Sequence, residues 1–169
     1  MIILIILAVM LIGLFIGNLM APKIQFKKSF QELKNYFESN NNFKILSIQS
    51  NNSDFIVERN DNKKFYIKLI VMPNYSEIQI NSKATWEVKY GAGNTVGKAQ
   101  PKKRYLNEVR DFMNTTINDS DQKIVIFTPD PKKIVKYINE CEIVFVKSST
   151  DVYGAKIYSL NKKDLFNKL

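Results

Sequence analysis

The sequence predicts an α/β domain on a mixed sheet, carried behind a single N-terminal transmembrane helix. Three observations predict it: an uncharged apolar run over residues 1–22, short alternating or wholly apolar runs between polar turns, and apolar residues at helical spacing over 29–38, 102–113 and beyond Asp130. The expected order of the domain is αβββαβαβ. Its parts are an anchor over 1–21, a basic juxtamembrane segment over 22–28, and the domain over 29–169.

The first segment begins Met1-Ile-Ile-Leu-Ile-Ile-Leu and stays apolar through Gly17. As a helix, ~21 residues rising ~1.5 Å each span ~31 Å, about the thickness of a bilayer core. No basic residue precedes the run, which argues against a cleaved secretory signal. Lys23, Lys27 and Lys28 follow it, so the positive-inside rule expects an outside N-terminus and a cytoplasmic domain. The lipid bilayer is then one expected partner.

The next elements follow from pattern. Phe30, Leu33 and Phe37 share one face of a short helix over 29–38. Phe43 to Ile48 reads as a strand. Phe55–Glu58 and Phe65–Val71 flank the turn Asn60-Asp61-Asn62, and Glu77–Ile80 and Ala84–Tyr90 flank Asn81-Ser82-Lys83, so each pair is expected as a hairpin. Tyr105, Leu106, Val109, Phe112 and Met113 predict a helix over 102–113. Asp130-Pro131 has the chemistry of a helix start, with Ile134, Val135 and Ile138 as its buried stripe. Ile124–Phe127 and Ile143–Val146 are apolar on both faces, which predicts a parallel pair inside a covered sheet. Val152–Leu160 reads as an edge strand, and Asn161 as the cap of a terminal helix.

Composition narrows the chemistry. The 169 residues include 25 Lys plus Arg, 16 Asp plus Glu, one Cys and no His. The missing histidine excludes Ser-His and Cys-His catalysis and His-ligated metals; the single Cys141 excludes intrachain disulfides and zinc ribbons and reads as a packing residue. A net charge of +9 attracts polyanions, either nucleic acid or anionic lipid. Of the basic residues 22 are Lys and three are Arg, so bidentate reading of bases is not expected.

Glu87-Val88-Lys89 is the tripeptide with most chemical meaning. On a strand, residues i and i+2 share a face, so the carboxylate and the ammonium project together. The carboxylate can hold a hard divalent ion and the lysine can orient a water; the same spacing also suits a cross-strand charge pair. A tight hairpin centred on Ser82 would set Glu77 opposite Glu87. Lys98, Lys102, Lys103 and Arg104, near Tyr90 and Tyr105, are candidate phosphate contacts, and Trp86 is expected in the core.

The element order, with Glu87-Val88-Lys89 on the third meander strand before an amphipathic helix, resembles the PD-(D/E)xK restriction-endonuclease-like superfamily, most nearly its nuclease-related-domain branch. The resemblance covers roughly Phe30 to Leu160. It implies a metal-dependent phosphodiesterase in which Glu87 binds Mg²⁺, Lys89 stands beside the attacking water and Gln100 belongs to the catalytic set. Where the family carries an aspartate on the preceding strand, this chain offers Glu77 or Gln79, and Asp61 in a turn. Glu77 is therefore the expected second metal ligand. Two functions follow as expectations: a membrane-anchored nuclease acting on nucleic acid, or a catalytically inactive tethered module that binds on the same fold.

Overall fold

The computed structural model describes residues 2–50, 52–91 and 101–160. Within them a long helix, α1 (Ile2–Ser39), is followed by β1 (Phe43–Ser50), β2 (Ser53–Arg59), β3 (Lys64–Val71), β4 (Glu77–Ile80), β5 (Trp86–Tyr90) and β6 (Lys102–Tyr105). A short helix, α2 (Asn107–Asn114), then leads to β7 (Gln122–Thr128), β8 (Lys133–Tyr137), β9 (Ile143–Phe145), β10 (Asp151–Val152) and β11 (Ala155–Ser159). The strands form two mixed sheets: sheet A in the order β1-β2-β3-β7-β11-β10, and sheet B in the order β6-β5-β4-β8-β9. In sheet A, β7 runs parallel to both β3 and β11, and in sheet B, β4 runs parallel to β8.

Alternation along the strands of sheet A builds two cores. On one face Phe55, Val57, Phe65, Ile67, Ile124 and Ile126 meet Leu33 and Phe37 of α1. On the other, Ile70, Val125, Phe127 and Ile157 meet Ile78, Ile80, Trp86 and Val88 of sheet B and Val109, Phe112 and Met113 of α2. The layers are therefore α1, sheet A, and sheet B with α2. β7 is buried from Lys123 to Thr128 because it is central and covered on both sides, as its unbroken apolar run leads one to expect. Trp86 lies in the core at 1% exposure.

The structure corrects the expected fold class. It is mostly β, and among the described residues no helix is long and apolar enough to cross a membrane. That overturns the single-pass anchor expected over 1–21, and the outside N-terminus and cytoplasmic domain argued from that anchor lose their basis; residues 22–28 are part of α1. The segments expected as an anchor and as a separate helix over 29–38 are one element, continuous through Pro22. Phe26 and Phe30, which follow the expected anchor directly, pack on sheet A, with the Phe30 and Phe55 rings stacked at 4.4 Å.

One expected helix is a strand, and the helix expected over 102–113 forms only from Asn107, with Val109, Phe112 and Met113 buried as its spacing predicts. Lys102–Tyr105 pairs as β6 along β5, with Val88 opposite Arg104, and Leu106 N–H donates to Trp86 O at 2.9 Å, so helix starts only at Asn107. Pairing along β5 outweighs the helical spacing there. The stretch after Asp130-Pro131 is β8, whose β-branched pair Ile134 and Val135 is buried on opposite faces while Ile138 is 52% exposed. β9, expected as a buried parallel partner of 124–127, is an exposed edge strand antiparallel to β8. The expected edge strand over 152–160 divides at Tyr153-Gly154, where both residues take positive φ. Its longer half, β11, pairs with β7, and only β10 is at the edge. Cys141 is exposed rather than packed. The helix expected from Asn161 lies outside the described residues.

Two buried charges are met locally. Asp54, 6% exposed, accepts from Leu69 N–H at 2.7 Å and from Lys68 at 3.3 Å, satisfying β3 just beyond the end of its pairing with β2. Lys123, 7% exposed, donates to the carbonyls of Met113 and Thr115 at the end of α2, where free carbonyls and the helix dipole favour a cation. Its burial still pushes the ammonium pKa below the ordinary lysine value.

Two predictions follow from this packing. Phe37, 1% exposed, contacts the Phe43 and Phe55 rings at 5.6 and 6.0 Å. Phe37→Ala should cost about 3–5 kcal/mol in urea unfolding; a loss under about 1 kcal/mol would mean that α1 is not docked as described. For Lys123 the sign is fixed by the depressed pKa. Below its folded-state pKa the lysine is charged in both states and the full desolvation cost opposes folding. As pH climbs from there toward 10.5, the native state loses its proton first and the cost is relieved. The stability of the parent relative to Lys123→Met should therefore rise over that range, and a difference that stays flat with pH contradicts the assignment.

Candidate nucleic-acid interface

The residues of interest lie on the face of sheet B turned away from the core. Ile78, Ile80, Trp86, Val88 and Ile134 point inward, so their strand neighbours Glu77, Gln79, Glu87, Lys89, Lys133 and Val135 point out. Strand register arranges them in two rungs. One runs Lys133–Glu77–Lys89–Lys103 across β8, β4, β5 and β6. The other runs Phe145–Val135–Gln79–Glu87–Tyr105 and reaches β9.

The β4–β5 turn sets this register. Asn81 N–H donates to Thr85 O at 3.0 Å, and Ser82 Oγ accepts from the N–H groups of Ala84 and Thr85 at 3.2 and 3.0 Å. The loop is wider than a hairpin centred on Ser82, and the pairing moves by two residues. Glu77 therefore stands opposite Lys89, and Glu87 opposite Gln79. Because the shift is even, Glu77, Glu87 and Lys89 remain on one face. The two carboxylates are diagonal neighbours, not the facing pair expected from sequence.

Charge compensation on the face is specific. Glu77 Oε2 lies 3.2 Å from Lys133 Nζ and Oε1 lies 3.8 Å from Lys132 Nζ. Glu87, 9% exposed, accepts from Asn81 Nδ2 at 3.3 Å. Among the described residues no group of three or more His, Cys, Asp and Glu could hold a metal. The donor set does not fit Mg²⁺: both oxygens of Glu77 face ammonium groups, and Lys89 and Lys103 continue the same rung. Asp61 is taken up elsewhere, in the β2–β3 turn, where the Arg59 guanidinium holds its carboxyl down to about 2.

The expected phosphate-binding cluster divides. Lys103 joins the outer rung, while Lys102 and Arg104 alternate to the other side of β6. Arg104 is bound to Glu108 at 3.0 Å and to Val71 O at 3.4 Å. Lys98 and Gln100 lie outside the described residues. Lys132, Lys133 and Phe145 were not singled out from sequence; on a stretch read as a helix, the rung carrying Lys133 had no visible partner. Tyr105 and Phe145, both 62% exposed, flank the second rung.

No family model, no curated protein and no solved structure matches this chain. The resemblance drawn from Glu87-Val88-Lys89 thus stands on those residues alone, and function is argued from the face itself.

Proposed function

We propose that the protein is a non-catalytic binding module that grips single-stranded nucleic acid on the outer face of sheet B, through the phosphate backbone and without reading sequence. The observation that carries this reading is the rung Lys133–Glu77–Lys89–Lys103, with exposed Tyr105 and Phe145 beside it. At ~4.8 Å per strand the rung spans ~14 Å. Within it Lys89 and Lys103 have no carboxylate within ion-pair distance among the described residues and are free to neutralise phosphates, and aromatic side chains on a sheet offer stacking surfaces that accept any base. The net charge of +9 favours the encounter. Arg104, the basic residue on β6 best suited to bidentate base contacts, is held by Glu108 and Val71.

Binding is favoured over hydrolysis because Glu77, the expected second metal ligand, neutralises Lys132 and Lys133.

Filter binding of single-stranded oligonucleotides at rising salt tests the reading. The log of the affinity should fall linearly with the log of salt, and the double variant Lys89→Ala/Lys103→Ala should flatten the slope by roughly 0.7 for each phosphate no longer neutralised. Tyr105→Ala should weaken binding by about 1–3 kcal/mol at every salt concentration without changing the slope. A slope that is flat, or untouched by the lysine changes, refutes the proposal. In a parallel arm, oligonucleotide incubated with Mg²⁺ should remain intact; cleavage abolished by Glu87→Gln would restore the hydrolytic reading.

A further inference from the structure

A second site lies at the seam between the sheets, where Lys133 is the one residue it shares with the outer rung of sheet B. Parallel β7 and β11 end side by side, at Thr128 and Ser159. From Thr128 the chain leaves sheet A and enters sheet B as β8, while β11 stops, and the divergence opens a cavity of about 210 Å³. The carboxyl ends of parallel strands, where the chain parts to different layers, are a recurrent place for ligands.

Its lining is chemically pointed. The hydroxyls of Ser148 and Ser159 are buried and have no hydrogen-bond partner, and Ser159 is 6% exposed. Native interiors rarely leave such groups unsatisfied, so each orphaned hydroxyl calls for a partner, and both serines belong to the cavity's lining. Three lysines, Lys132, Lys133 and Lys147, also line it. Glu77 is shared between the first two, whereas Lys147 has no carboxylate within ion-pair distance among the described residues. Asp130, one residue before the lining Pro131, carries a further orphaned oxygen, Oδ1, so with Glu77 it keeps the region from being purely cationic. Size limits the occupant. At about 210 Å³ the space lies below the ~300 Å³ at which drug-sized pockets begin.

We propose that this cavity binds a phosphate monoester or inorganic phosphate, with the Lys147 ammonium supplying charge and the Ser148 and Ser159 hydroxyls donating to phosphoryl oxygens. The site does not depend on the sheet B face, and either can fail alone. The same group could come from free phosphate or from the terminal phosphate of a nucleic-acid strand.

Calorimetric titration of the full chain with inorganic phosphate, against chloride at equal ionic strength, tests the site. One saturable event is expected. Ser148→Ala/Ser159→Ala and Lys147→Ala should each weaken it by at least about tenfold, the usual consequence of losing a hydrogen bond to a charged group. Circular dichroism should show the variants folded, and Lys89→Ala/Lys103→Ala should leave the event unchanged. Competition by a 5′-phosphorylated oligonucleotide, but not by its 5′-hydroxyl counterpart, would identify a strand end as the source. Competition by neither would identify free phosphate. Absence of a saturable event, or an affinity that the serine pair does not alter, overturns the proposal and leaves a water-filled cavity with lysines at its rim.

Discussion

The arrangement depends on one continuous parallel ladder that passes from sheet A into sheet B. β3 and β7 pair up to Val71 and Thr128. The two connecting segments stay joined, through Met72 N–H to Thr128 O at 3.0 Å and Lys132 N–H to Ser76 O at 2.7 Å, and β4 and β8 then pair from Glu77 and Lys133 onward. Ser76, fully buried in this passage, fixes its own turn by donating to Pro73 O at 2.6 Å. Two neighbouring chains thus leave one sheet and enter the other together, with their backbone groups satisfied by each other where a lone connection would bury unpaired N–H and C=O groups. Once both ribbons bend, the inward faces of the two sheets must oppose, and α2 fills the space beside β3 and β5.

The electrostatic pattern follows from the same geometry. Charges inside the layers are held by backbone groups, Asp54 by Leu69 N–H together with Lys68 and Lys123 by two carbonyls, because a buried ion needs its hydrogen bonds met. Charges on the outer rung of sheet B are held loosely: Glu77 and Lys133 are partly exposed, and such pairs contribute little to stability. That leaves the outer rung free to be devoted to a partner at little loss of stability. Lys132 and Lys133 stand where the bent ribbon reaches sheet B and share Glu77, whereas Lys147, on the strand-end side of the seam, pairs with no carboxylate among the described residues.

Much of the strand content was legible in the sequence, for identifiable reasons. The hairpin around Asn60-Asp61-Asn62 announces itself through a turn whose Asn62 takes positive φ, and Ile124–Phe127 is too short and too β-branched to be anything but a covered strand. The misreadings share a cause. Lys102–Tyr105 has no apolar pattern of its own and only adjoins the helical spacing that starts at Leu106, while Ile134–Ile138 suits either period; what makes both strands is a partner elsewhere in the chain, β5 for one and β4 for the other. The site shows the same limit. That Glu87 and Lys89 share a face is a local property of a strand, but which residues stand across from them depends on how many residues the Asn81–Thr85 turn consumes. Lys133 could be found only once β8 was known to lie beside β4.

The β9 edge of sheet B carries a liability of a different kind. β9 offers Ile143, Val144 and Phe145 to solvent at 47%, 45% and 62% exposure, alongside a row of backbone groups that no strand covers among the described residues. Such an edge can template another chain in solution, and proteins blunt it by brevity and by charge. Here both are present: the strand is three residues long, with Glu142 before it and Lys147 two residues beyond it. A strand this short, flanked by opposite charges, gives an incoming chain little length to pair along.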